Sequence, residues 1–90
     1  MLKIEFTKQS DKFLKKLPSK QKRQVSEKIQ NLLTDPFPND SQSLKGNRDF
    51  FRVSIGEYRI CYTIIAETLI IAMVGKRNDD EIYKKFKRLF

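Results

Sequence analysis

Phe50-Phe51-Arg52-Val53-Ser54-Ile55-Gly56-Glu57-Tyr58-Arg59-Ile60-Cys61-Tyr62-Thr63-Ile64-Ile65 reads as two strands joined by a two-residue turn. Gly56 stands first in that turn, where type II′ geometry requires a positive φ. The turn pairs Ile55 with Tyr58, Ser54 with Arg59 and Arg52 with Cys61, and cross-strand partners share a face. One face then carries Phe51, Val53, Ile55, Tyr58, Ile60, Tyr62 and Ile64, a surface for helices to cover. The other carries Phe50, Arg52, Ser54, Arg59, Cys61 and Thr63. An arginine on so apolar a strand is expensive to keep unless it faces water or a ligand.

Outward from this hairpin, Thr68 to Gly75 forms a third strand, and a tight turn at Ala66-Glu67 would bring Ala72, Val74 and Lys76 onto the arginine face. Upstream, Leu2, Ile4 and Phe6 alternate with Lys3 and Glu5 at the period of a half-buried strand. Thr7 offers a helix N-cap, and Phe13, Leu14 and Leu17 supply an apolar stripe. Pro18 ends that helix and suits the first turn of the next, which runs to about Thr34 with Val25, Ile29, Leu32 and Leu33 on one side. Lys20, Lys22, Arg23 and Lys28 cover its remainder and read as solvated surface. Asp35-Pro36-Phe37-Pro38-Asn39-Asp40-Ser41 is turn chemistry, and the connection continues to Lys45-Gly46-Asn47. A loop of roughly a dozen residues in so small a domain invites a role. Asn78 caps a last helix through about Leu89, with Ile82, Phe86 and Leu89 inward.

The expected fold is therefore α+β: an N-terminal strand, a helical hairpin, an antiparallel three-stranded meander and a C-terminal helix. The helices pack on one face of a four-stranded sheet. Ninety residues hold one core, so residues 1–90 are expected to be a single domain.

The chain carries a net charge of +8 and a pI near 9.8, which implies an anionic partner: nucleic acid, an anionic membrane surface or an acidic protein. With no His and one Cys, neither a zinc site nor an internal disulfide is expected, and nothing calls for a cofactor. The apolar runs are too short to span a bilayer. The N-terminus reads as a strand and not as a signal peptide, so the expected location is the cytoplasm.

A cationic cluster on a sheet face suits phosphate, because guanidinium presents paired donors that match phosphate oxygens. Arg52 and Arg59 share such a face, and Gly75-Lys76-Arg77 leaves the sheet at the end where they gather. Tyr83, a turn into the last helix, can stack on a base or move a proton; its plainer reading is a half-buried core tyrosine.

The order strand, helical hairpin, Leu44-Lys45-Gly46, Phe51-Arg52-Val53, Tyr58-Arg59-Ile60, Val74-Gly75-Lys76-Arg77 and Glu81-Ile82-Tyr83 resembles the RelE/ParE toxins of bacterial and archaeal toxin–antitoxin pairs. The likeness covers nearly the whole chain, and the Tyr-Arg and Gly-Lys-Arg elements look like the RelE branch, which cleaves messenger RNA in the ribosomal A site. The resemblance implies that Arg59 stabilises the scissile phosphate, that Arg77 assists there or protonates the leaving group, and that Tyr83 orients the substrate nucleotide. Arg52, Ser54, Lys45 and Lys76 fall to substrate and phosphate binding. It also implies a cognate acidic antitoxin in a heteromeric complex, with the ribosome and messenger RNA as targets.

One departure bears on the chemistry. The best-known members carry two lysines on the strand before the hairpin, the candidate bases for the 2′-hydroxyl, where this chain has Arg52 and Ser54. Arginine does not readily lose a proton, and serine is no general base. The acceptor then falls to Lys45, Lys76 or Tyr83. Two other readings stand beside the nuclease: a ParE-like protein that binds DNA gyrase without doing chemistry, and a plain RNA-binding domain with Phe50 and the arginines as its platform.

Overall fold

The computed structural model describes residues 1–44 and 47–76; Lys45, Arg77, Tyr83 and the expected last helix lie outside the described residues. In chain order the elements are β1 (Lys3–Phe6), α1 (Lys8–Lys16), α2 (Ser19–Thr34), β2 (Gln42–Leu44), β3 (Asn47–Ile55), β4 (Tyr58–Ile65) and β5 (Thr68–Lys76). They form one mixed sheet in the order β1-β5-β4-β3-β2, with β1 parallel to β5 and the other pairs antiparallel. The fold class is as expected, with five strands in place of four. The fifth, β2, is three residues at the end of the long loop, too short to show a period, and it exists because β3 offers it an edge.

Local chemistry sets the helices. Thr7 Oγ1 accepts the Ser10 N–H at 3.3 Å and opens α1. Leu17 is already extended (φ −72°, ψ 142°), as a residue before proline must be, so α1 stops there. Pro18 sits at the N-cap of α2, one position before the first turn expected of it. Val25, Ile29 and Leu32 recur at helical spacing and are fully covered, packing on Val53, Ile60 and Tyr62 of the sheet.

The hairpin register is as read from the turn: Ile55 opposite Tyr58, Ser54 opposite Arg59, Arg52 opposite Cys61. Gly56 has φ 56° while Glu57 stays out of the left-handed region, the II′ pattern. The second hairpin turns at Ala66 (φ 51°) and Glu67 (φ 59°), a I′-type pattern built without glycine.

That second hairpin also corrects an expectation. A bulge at Ala72 shifts the ladder, so that Tyr62 pairs with Ile71 but Cys61 pairs with Met73, Arg59 with Gly75 and Tyr58 with Lys76. Met73 and Gly75 therefore share the arginine face, while Val74 and Lys76 turn to the helix side, opposite to the expected placement. The side chains of α1 accompany this irregularity. Thr7 Oγ1 donates to Ala72 O at 2.6 Å and Ser10 Oγ to Ile71 O at 2.9 Å. The Gln9 amide both donates to Val74 O (3.0 Å) and accepts from Val74 N (3.1 Å). β1 stops pairing at Ile71, so these side chains cover the stretch of β5 edge that β1 leaves open.

Nor is the arginine face simply wet. Its centre is a second apolar cluster of Leu44, Cys61, Ala72 and Met73 with Phe50 against it, and Cys61, Ala72 and Met73 are fully covered. The long loop is packed as well. Tyr62 donates its hydroxyl to Pro36 O at 2.5 Å, Lys28 pairs with Asp40 at 2.9 Å, and the Phe37 ring meets Phe51 edge-on at 5.0 Å. These contacts give the loop a structural role.

Candidate phosphate-binding face

Two strands deliver the site. β3 presents Arg52 and Ser54, β4 presents Arg59 and Cys61, and the Arg52–Cys61 and Ser54–Arg59 pairings set all four side chains on one side of the sheet. Arg52 and Arg59 both act on the Cys61 thiol. Burial pushes that thiol up from 9.0 to about 11, and the Arg52 and then the Arg59 guanidinium pull it partly back. Arg52 stands opposite Cys61 on the ladder, and Arg59 lies two positions before Cys61 on the same face. Cys61 itself is protonated at neutral pH and is neither base nor nucleophile.

Arg59 is half-buried with its Nε covered, which holds the side chain to a narrow range of positions. Its neighbour on β5 is Gly75, itself buried, which adds no side chain beside the guanidinium. Arg52 donates from Nη2 to Gln42 Oε1 at 2.6 Å. Gln42, Arg52's partner across the β2–β3 ladder, orients a guanidinium without adding negative charge. Sequence reading missed Gln42, because a three-residue edge strand carries no periodic signal; only the register places it here.

Of the remaining expected site residues, Ser54 is half-buried on the same face beside Arg59. Lys76 is exposed at the end of β5 but is turned to the helix side by the bulge. Among the described residues there is no cluster of metal-ligating side chains, and no helix is long and apolar enough to cross a membrane. Two guanidinium groups on a rigid ladder, spaced by alternate strand positions, suit a phosphodiester and the extra negative charge it gains when attacked.

The chain matches the family model of the ParE toxin of type II toxin–antitoxin systems over residues 4–81. A protein of Methanocaldococcus jannaschii that carries the toxin name RelE1 is 35% identical over 84 residues, spanning 90% of this chain and 93% of its own. Among solved structures, a double mutant of the E. coli toxin RelE in the free state superposes with a TM-score of 0.79 at 25% identity, covering 99% of this chain and 98% of that one. The archaeal RelE–RelB complex from Pyrococcus horikoshii gives 0.74 at 26% identity, covering 86% of this chain and 96% of that one. The fold and the arginine-bearing ladder define a small basic toxin domain. This chain belongs to the ParE/RelE family of toxins of type II toxin–antitoxin systems.

Proposed function

We propose that this toxin is a ribosome-dependent endoribonuclease that cuts messenger RNA in the A site by attack of a 2′-hydroxyl on the adjacent phosphate. The observation that carries the reading is the placement of Arg52 and Arg59 on one face of the β3–β4 ladder, with Gly75 opposite Arg59. Arg59 sits centrally to stabilise the phosphorane, and Arg52, aimed by Gln42, holds a neighbouring phosphate with Ser54. Arg77 and Tyr83, as candidates that follow β5, protonate or orient the leaving nucleotide. The proton acceptor is one of Lys45, Lys76 and Tyr83. The register makes Lys76 the least suited of the three, since it points away from the arginines. An ordered codon on the ribosome would supply part of the catalysis by positioning, so activity on free RNA should be weak.

The cytoplasm is where such a target is met. The partner that restrains the toxin is an acidic antitoxin encoded beside it; solved relatives from E. coli, Pyrococcus horikoshii and Methanococcus jannaschii are complexes of RelE with RelB. A net charge of +8 suits an acidic partner, because opposite charge speeds encounter and sets register. Co-purification from the native two-gene unit tests this; a lone monomer from that preparation refutes it.

Primer extension on a reporter transcript after expression without the antitoxin tests the nuclease. Translation-dependent cuts are expected, and intact transcripts in growth-arrested cells overturn it. The matching family model is that of ParE, and this favours one second reading, a gyrase inhibitor without chemistry. Accumulating gyrase–DNA breaks with intact messenger RNA would select it.

A further inference from the structure

We propose that a cavity at the far end of the β3–β4 ladder is a base-binding site for single-stranded RNA, continuous with the arginine face. Among the described residues that ladder ends at Phe51–Tyr62, although β3 begins at Asn47 and β4 runs on to Ile65. Past that pair the strands part, and Thr63 Oγ1, donating to Asp49 O at 2.6 Å, links them instead. The gap is a cavity of about 390 Å³, with Phe37, Phe50, Phe51 and Ile65 among its walls and Asp49 and Thr63 as its polar groups.

An apolar hollow at a strand end is often no more than loose packing, and two observations separate this one from that. Its walls are open: Phe37 is 55% exposed and Ile65 59%, which a hollow closed for stability would cover. It also lies in line with the arginines. Phe50 stands on their face, packed against the cluster of Leu44, Cys61, Ala72 and Met73. Ser54, Arg52 and Phe50 are alternate residues of β3, so each side chain follows the last by about 7 Å, a step that one nucleotide of an extended strand can span.

The occupant is a nucleobase. Unpaired bases are held by stacking on aromatic rings, and the cavity has the size and the mostly apolar lining of a small-molecule site. With phosphates on Arg59 and Arg52, the next base along the strand falls at Phe50. That placement of the phosphates rests on the nuclease reading, whereas the fit of the cavity to a base does not. Asp49, exposed among the lining residues, supplies a carboxylate that can accept from the N4 amine of cytosine but meets a carbonyl oxygen at the same place on uracil. The site therefore favours cytosine over uracil.

The test measures binding of short oligocytidylate and oligouridylate to the full chain carrying Arg59→Ala, so that neither is cut, with thermal unfolding as the fold control. This parent should prefer oligocytidylate by about fivefold, and Asp49→Asn, whose amide serves either base, should erase the preference. Phe50→Leu should weaken both oligonucleotides about tenfold. Because Phe50 is half-buried, the more exposed Phe37→Leu is made as well and decides the matter if Phe50→Leu does not fold; Phe6→Leu, an exposed aromatic on β1, should change nothing. A parent without preference, or folded wall variants that bind as the parent does, overturn the inference. So does a wall variant that binds both oligonucleotides unchanged but no longer co-purifies with the acidic antitoxin, since the cavity then holds a protein side chain. Primer extension on chains with Arg59 intact separates this inference from the nuclease reading. Translation-dependent cuts with the same sequence context in wild type and Asp49→Asn keep the nuclease and overturn the base site. Oligonucleotide preference without any cuts removes the nuclease and leaves the base site standing.

Discussion

Gln9→Ala tests the way α1 is fastened to the sheet. Gln9 is a polar residue on a short surface helix, and a substitution there would ordinarily shift stability by no more than about 0.5 kcal/mol. Its amide, however, makes two hydrogen bonds to the backbone of Val74, one given at 3.0 Å and one received at 3.1 Å, and Val74 is fully covered. Alanine removes both and strands a buried N–H and a buried carbonyl. Each of these bonds is worth about 1 kcal/mol net, with a further desolvation cost of about 1–3 kcal/mol where water does not reach. Gln9 is half-exposed, so water recovers part of this, and alanine's better helix propensity returns a few tenths. The net expectation is a loss of about 2 kcal/mol, or a fall in Tm of roughly 8–16 °C for a domain of this size. Thermal unfolding followed by circular dichroism reads the value, with Lys12→Ala as the exposed-helix control. Faster hydrogen exchange at the Val74 amide locates the effect. Gln9→Glu should fall between, since a carboxylate can accept from Val74 N–H but repels the carbonyl. A Gln9→Ala protein that melts within about 2 °C of the parent would refute this account of how β5 is held.

Three other outcomes are expected. Ala66→Gly relieves a left-handed residue at φ 51° and should raise stability by about 0.5–1 kcal/mol after the added freedom of the unfolded chain is counted, read as a higher denaturant midpoint. The folded state holds the Cys61 proton more tightly than the unfolded chain does, so this thiol's contribution is complete below pH 9 and lost as pH rises towards 11; Cys61→Ala should start less stable but decline less steeply across that window in denaturant titrations. Arg59→Ala should lower A-site cleavage by about 10²–10³, with Arg77→Ala next, whereas Arg52→Lys, which restores a lysine where relatives have one, should raise cleavage if the base is what limits this chain; full toxicity of both alanine variants with intact folding removes the nuclease.

The two helices, the Gly56-Glu57 turn and the face shared by Arg52, Ser54 and Arg59 were legible in the chain itself, because each depends on neighbours a few residues away. A cap reads from Thr7 and Ser10, a helix end from Leu17-Pro18, and a two-residue turn sets the register of everything beyond it. The resemblance to the toxin family was legible for the same reason, as a sequence of short local motifs. Three features were not. The bulge at Ala72, which turns Val74 and Lys76 away from the arginines, accompanies hydrogen bonds from Thr7, Gln9 and Ser10 more than sixty residues earlier in the chain. Strand β2, with Gln42 braced against Arg52, forms because β3 presents an open edge. Burial of the arginine face at Cys61, Ala72 and Met73 depends on what lies across that face. Local chemistry can place a turn or a cap, but a strand's register past a bulge and the covering of a sheet are set by distant segments, and these tertiary contacts turn Lys76 away from the face that carries Arg52 and Arg59.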